Sequence, residues 1–241
     1  MIDFAIVGAQ KSGTTALAQF LAQHPAIAMT HPKEAHIFDA EDFEPATIEA
    51  KYSTFFEHAL EEQLRGDATP IYILWQDVLA ALSAHNRNLK VIILLRDPVD
   101  RAISHYDMEM ARGNERLPLW RALLSESSRL KNDVEPKAMA SATRLHSYRH
   151  RGYYSHQLAN VYKIFPKEQV LIVPMNRLMR EHQQTMQQVF SFLGVDSDVQ
   201  VAHEVVFSSG DSQNRYPFSR LLLKLCYLLE YRRLRQYLDL R

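Results

Sequence analysis

The sequence predicts an α/β fold: a mostly parallel sheet with helices on both faces, in three layers. Three observations carry this. Short unbroken apolar runs alternate with helix-period segments along the chain. The runs lack the apolar–polar alternation of half-exposed strands, so both of their faces are expected to be covered, as in a parallel sheet. The first run also leads through a glycine-containing loop directly into a helix, the βα unit of open sheets.

The elements follow in order. "FAIV" (4–7) is the first strand. A helix begins at Thr14 with Leu17, Phe20 and Leu21 on one face, and stops before Pro25, because a proline drives the residue ahead of it out of the α region. "IAMT" (27–30) is a second strand, and residues 75–86 form a helix. "KVIILL" (90–95) is the strongest strand, apolar throughout from Val91. Asp97 and Pro98 open the next helix as N-cap and first residue, with Ala102, Ile103, Tyr106 and Met110 facing inward. Residues 154–165 form a helix, "VLIV" (170–173) a strand, and 180–193 a helix that Gly194 ends. Residues 217–240 form one long amphipathic helix. The stretch 113–150 is polar, irregular and rich in Arg and His, and is expected to be an inserted lid or acceptor-binding segment. No repeat or low-complexity linker interrupts the chain, which reads as a single domain over 1–241.

The 28 basic and 28 acidic side chains give a formal net charge of zero, which argues against nucleic acid as a partner. The single cysteine, Cys226, excludes an internal disulfide and suits a reducing, cytoplasmic setting. The first strand starts at residue 2 or 3, leaving no room there for a leader. The longest apolar stretch, "LLLKLCYLLEY", is broken by Lys224 and Glu230 and is too short to span a bilayer.

Two stretches carry chemistry. In "VGAQKSGTTAL" (7–17), Gly8 and Gly13 keep the spacing of G-x-x-x-x-G-K-[ST], but Thr14 stands where the lysine belongs and Lys11 lies two residues before Gly13. Backbone N–H groups and a helix N-terminus point at whatever sits there, and Lys11, Ser12, Thr14 and Thr15 add a cation and three hydroxyls. The alternative is an ordinary βα turn with a solvent-facing lysine. In "LLRDPVDRAISHY" (94–106), Arg96 ends the strongest strand, where open sheets place ligands. Ser104 follows eight residues on, about 10 Å along the helix, an offset that an arginine side chain can largely close. The two could then share one phosphate. Alternatively Arg96 pairs only with Asp97 or Asp100, and Ser104 lies on the surface.

Together these stretches resemble the sulfotransferases that use 3′-phosphoadenosine 5′-phosphosulfate (PAPS), whose fold is like that of the P-loop NTPases. "FAIVGAQKSGTTAL" is similar to their 5′-phosphosulfate loop, and "LLRDPVDRAISHY" to their 3′-phosphate motif. "HPKEAHIFD" (31–39) is similar to the segment carrying the catalytic Glu in the heparan-sulfate branch. "FPKEQVLIVPMNRL" and "VFSFLGV" match later landmarks, so the likeness covers roughly residues 2–195. The resemblance implies sulfuryl transfer from PAPS to a hydroxyl of a carbohydrate or glycoconjugate, with no metal. It assigns Lys11 to the departing 5′-phosphate, backbone amides at Gly13–Thr15 to the same group, Arg96 and Ser104 to the 3′-phosphate, and Glu34 to general-base duty. His36 is the rival base, and Lys33 would hold Glu34 ionised or touch the sulfate. "RGYYSHQL" (151–158) resembles a stretch touching the nucleotide or lid, which nominates Arg151 and Tyr153.

Departures matter too. "GDATPIYI" (66–73) resembles an acceptor-lining segment, but Ala68 sits where glycosaminoglycan enzymes often carry a lysine, which weakens a heparan-like polyanionic acceptor. The family's Cys-containing closing loop is replaced by "SSGDSQNRYPFSRLL", where Asn214 and Arg215 could close over the donor. His146 and His150 have a metal-like spacing but no third ligand. A P-loop kinase or NTPase is the competing class; no lysine follows Gly13, and Arg96 precedes the acidic residue. A nucleotide-binding module without catalysis is the third, and the pairing of Lys11 with Glu34 speaks against it. In the C-terminal helix, Leu221, Leu222, Leu225, Leu228 and Leu229 fall near one face with Arg232, Arg233 and Arg235 beyond it. Packing against the sheet or a second subunit, as a homodimer, is the first expectation; peripheral contact with a membrane is the alternative.

Overall fold

The computed structural model describes residues 1–202 and 215–237. Five strands, β1 (Phe4–Gly8), β2 (Ile27–Met29), β3 (Leu64–Asp67), β4 (Lys90–Leu95) and β5 (Val170–Pro174), form one sheet in the order β2-β3-β1-β4-β5. Every neighbouring pair is parallel. The helices are α1 (Thr14–Leu21), α2 (Ile48–Phe55), α3 (Gln76–His85), α4 (Pro98–Ala111), α5 (Leu119–Lys131), α6 (Ala142–His146), α7 (Tyr154–Ile164), α8 (Met175–Arg180), α9 (His182–Leu193), α10 (Pro217–Cys226) and α11 (Leu228–Leu234). The chain forms two compact units: Met1–Arg96 with the described part of Asn160–Ser208, and Asp97–Ala159 with the described part of Ser209–Arg241.

The first unit holds the whole sheet. All five residues of β1 are buried, as are the last five of β4, so both faces are covered. On one face Phe4, Ile6, Ile92 and Leu94 pack with Leu17, Phe20 and Leu21 of α1 and Met186, Val189 and Phe190 of α9. The chain leaves β1 toward β2 on one side and β4 toward β5 on the other. The carboxyl ends of β1 and β4 therefore flank a topological switch point, the crevice where open α/β sheets bind ligands.

The second unit has its own core, in which Val99, Ala102, Ile103 and Tyr106 of α4 meet Leu119, Ala122 and Leu123 of α5, Tyr148, Leu223 and Tyr227. Asp97 caps α4 by accepting from the amides of Val99 (3.0 Å) and Asp100 (3.1 Å). Buried Glu126 accepts from the amides of Arg149 (2.8 Å) and His150 (2.7 Å), and buried Glu230 from the amide (2.6 Å) and hydroxyl (2.7 Å) of Ser155.

Four expectations need correction. Residues 113–150 are not irregular: they contain α5 and α6, and the buried stripe of α5 runs Leu119, Ala122, Leu123, Glu126, its last position hidden from a hydrophobic count by a carboxylate. Met110 is 42% exposed, because the buried stripe of α4 continues at Glu109 instead. The helix expected over 180–193 begins at His182, after Glu181 leaves helical geometry (φ −122°, ψ 46°) and separates it from α8. The long C-terminal helix is broken at Tyr227, and Leu221, Leu225, Leu228 and Leu229 are exposed on the single chain, not packed on the sheet. Residues 238–240 of that expectation lie outside the described residues.

Candidate active site

The loop after β1 is shaped by two left-handed residues, Lys11 (φ 69°) and Gly13 (φ 93°). Glycine meets this geometry freely; for lysine it costs about 1–2 kcal/mol, a strain that a bound group can justify. Gly13 is the N-cap of α1, and no side-chain hydrogen bond caps that terminus among the described residues, so its first amides remain directed at the loop. Ser12 is fully buried and its Oγ has no hydrogen-bond partner among the described residues. A buried hydroxyl left unsatisfied is costly, and an anionic oxygen on the uncapped amides is the acceptor it suits. Thr14 is buried beside it and Thr15 is exposed. Arg96, one residue past β4, donates from Nη1 to the carbonyl of Lys11 at 3.4 Å. The Arg96 side chain thus reaches the backbone of the loop that carries Lys11 across the switch point.

Glu34 lies in the loop after β2, also left-handed (φ 65°), as is His36 (φ 51°). Its Oε1 accepts from Lys33 Nζ at 2.5 Å, and its Oε2 lies 3.5 Å from His36 Nε2. Partial burial alone would raise its pKa, but His36 and Lys33 overcome that and hold it at about 2. His36 Nδ1 lies 2.9 Å from Oδ2 of Asp39, which is fully buried. The ring thus lies between two carboxylates, with Nε2 toward Glu34 and Nδ1 toward Asp39. The result is a line of three groups, Glu34–His36–Asp39, of which sequence reasoning named the first two.

The segment after β3 holds this loop. Asp67 is fully buried; burial raises its pKa, while hydrogen bonds from Tyr52, Thr69, Tyr72 and the Ala35 amide favour the charged form. Tyr52 Oη donates to it at 2.8 Å and Thr69 Oγ1 at 2.8 Å. The Tyr72 hydroxyl accepts from the amides of Ile37 (3.0 Å) and Phe38 (3.4 Å). The stretch 66–73, likened above to an acceptor-lining segment, is buried at Ala68, Thr69 and Tyr72, and the support that Asp67 and Tyr72 give the Glu34 loop is a tertiary fact that no local pattern announces. Replacing Tyr72 by phenylalanine strands the buried Ile37 amide. The expected cost is about 1–3 kcal/mol, a fall of several degrees in the calorimetric melting point, at about 2–4 °C per kcal/mol for a chain of this size.

Beside Lys33 and Thr15 opens a cavity of about 560 Å³, lined also by Gln19, Thr30, His31 and His58. Ala18, Ala22, Ile27, Ala28, Met29 and Pro32 make much of the wall apolar, and the lining carries no acidic side chain.

The other nominees lie in the second unit. Ser104 is half-buried in the second turn of α4. Tyr153 packs edge-on against Tyr227 with ring centroids 5.3 Å apart. Arg151 is buried, donating from Nε to Ser147 Oγ (2.7 Å) and from Nη2 to the carbonyl of Thr143 (2.9 Å); burial and neighbouring arginines lower its pKa to about 9. Arg215 forms a two-pronged pair with Asp107 at 3.1 and 3.3 Å. Asn214 lies outside the described residues. His146 and His150 share no helix, since α6 ends at His146.

A family model described as a sulfotransferase domain matches residues 1–209. Human heparan sulfate glucosamine 3-O-sulfotransferase 3B1 is 30% identical over 190 residues, which cover 79% of this chain and 45% of that protein. Membrane-associated sulfotransferase kil1 of Dictyostelium discoideum is 34% identical over 119 residues, 48% of this chain and 25% of the relative. The chain thus spans less than half the length of these relatives. A crystal structure of a sulfotransferase from Alicyclobacillus acidocaldarius superposes with a TM-score of 0.81 at 27% identity, covering 98% of this chain and 95% of that one.

Proposed function

Because the chain belongs to the sulfotransferase domain family, we propose that it transfers a sulfuryl group from PAPS to a hydroxyl of a carbohydrate or glycoconjugate acceptor. The observation that supports this most is the buried, unpartnered Ser12 hydroxyl in a left-handed loop whose helix is uncapped. Such a pocket suits a tetrahedral anion, and the residues around it fit one end of this donor.

Bound there, PAPS supplies the activated sulfuryl group and a 5′-phosphate as leaving group. The loop amides and Ser12, Thr14 and Thr15 would hold that phosphate, with Gly8 ending β1 beneath them. Lys11 neutralises the charge that grows on the bridging oxygen, and positioning with electrostatic stabilisation does most of the work, as in phosphoryl transfer. Arg96 and Ser104, eight residues apart in the chain, are assigned to the 3′-phosphate. Tyr153 and Arg215 remain assigned to the rim of the nucleotide. No group of three or more metal-ligating side chains occurs among the described residues, and neutralisation of the leaving group is assigned to Lys11.

Glu34 takes the proton of the acceptor hydroxyl. A carboxylate held at about 2 is a weak base, which suits a loose transition state in which the acceptor oxygen becomes acidic only late. His36, the rival base, sits beside it with Nε2 3.5 Å from Glu34 and Nδ1 2.9 Å from Asp39. The acceptor would occupy the cavity beside Lys33 and Thr15, where Gln19, Thr30, His31, His58 and Gln63 offer hydrogen bonds to hydroxyls and the apolar wall a surface for the carbon face of a sugar.

Titration calorimetry tests the donor assignment. The desulfonated nucleotide, which carries the 3′-phosphate, is expected to bind more tightly than ATP with magnesium by about tenfold or more, the value of one charge-assisted phosphate contact. Tight magnesium-ATP binding with no uptake of the 3′-phosphorylated nucleotide would return the chain to the kinase or NTPase class.

A further inference from the structure

The C-terminal helices present two unlike faces. Ser219, Leu223, Tyr227, Glu230 and Leu234 are buried. Outward point Phe218 (65% exposed), Leu221 and Leu225 (58% each) on α10, then Leu228 (58%) and Leu229 (62%) on α11. Positions 218, 221 and 225 have the spacing of one helical stripe, so this is a face and not scattered leucines. Trp120 and Leu124 of α5, a helix that α10 packs against, are exposed as well.

The exposed charges that the segment itself carries are of one sign, while Asp97, outside it, accepts from Tyr231 Oη at 2.6 Å. Lys224, Arg232, Arg233 and Arg235 are exposed, whereas Arg220 is paired with Asp100 at 2.8 Å. The one carboxylate in residues 217–237, Glu230, is buried against Ser155. The solvent face of this segment thus carries large apolar side chains, cations and Gln236, with no acid of its own. A second copy docked on it would bring these cations toward their own copies with no carboxylate from the segment between them.

We propose that this face docks α10 and α11 on an anionic lipid bilayer, with the leucines and Phe218 at the acyl boundary and the arginines among the headgroups. Arginine and lysine suit this position because their stems lie along apolar surface while their charges stay at the headgroup level. The docking is a property of the second unit and stands apart from the donor and acceptor assignments above.

Cosedimentation of the full chain with vesicles tests it. The protein is expected to pellet with phosphatidylcholine vesicles containing phosphatidylglycerol, and much less with pure phosphatidylcholine or at high salt. The triple variant Arg232→Gln/Arg233→Gln/Arg235→Gln should partition roughly a hundredfold more weakly, at about fivefold per arginine. Leu221→Ser/Leu225→Ser/Leu229→Ser should remain in the supernatant while keeping the wild-type melting point, since all three side chains are exposed. Wild-type protein that ignores anionic vesicles would overturn the proposal by itself, whatever the variants do. So would pelleting unchanged by salt and by the leucine substitutions. A dimer in light scattering that the serine variant dissolves, without vesicle binding, would give the face to a second copy instead.

Discussion

Replacing Lys11 by alanine is expected to abolish measurable sulfuryl transfer from radiolabelled PAPS. The lysine is the cation of a loop whose other contacts are neutral hydroxyls and amides, and removing one preorganised stabiliser of developing charge costs about 10²–10³ in kcat. Its backbone lies in the left-handed region, where alanine is tolerated no worse than lysine, so the melting point should change little. Donor binding should weaken only modestly, because the helix N-terminus and Arg96 are retained. Full residual activity would remove Lys11 from the chemistry.

The second large effect is expected at Glu34. Glu34→Gln should leave binding of the desulfonated nucleotide unchanged and reduce kcat at least about a hundredfold, the lower range for general-base catalysis. The pH profile gives an independent check. The folded-state pKa of Glu34 is lowered to about 2, by His36 and Lys33 acting against burial. The carboxylate therefore stays ionised as pH falls through 5 and 4 and is protonated only near 2. An acid limb of kcat/KM in the ordinary carboxylate range that vanishes in Glu34→Gln would contradict the arrangement, as would unchanged turnover in the variant.

What the sequence disclosed and what it withheld follow from how local each signal is. β1 and β4 were legible because burial on both faces leaves an unbroken apolar run, and α4 because Asp97 and Pro98 mark its start within two residues. β3 was not legible: "LRGD" is short, half polar and takes its strand character from pairing with β1 and β2. α5 was missed because a buried glutamate completes its inner stripe. Within the site, the phosphate loop could be read because its glycines, lysine and hydroxyls are contiguous. Arg96 was nominated by its place after a strand, but its bond to the Lys11 carbonyl bridges 85 residues and needs the fold. Asp39 sits three residues beyond His36 and could have been noticed there. Asp67 and Tyr72 belong to another strand's exit, and only β2–β3 pairing brings them under the Glu34 loop.

That pairing has a consequence for how the molecule fails. β2 is three residues long, lies at the margin of the sheet and pairs only with β3 among the described residues, and the loop carrying Glu34, the proposed general base, departs from its end. Margins of this kind fray well before a protein's interior gives way. Gentle warming or dilute denaturant should therefore silence the proposed sulfuryl transfer while most of the backbone is still intact, making loss of turnover an early alarm and not a measure of global unfolding.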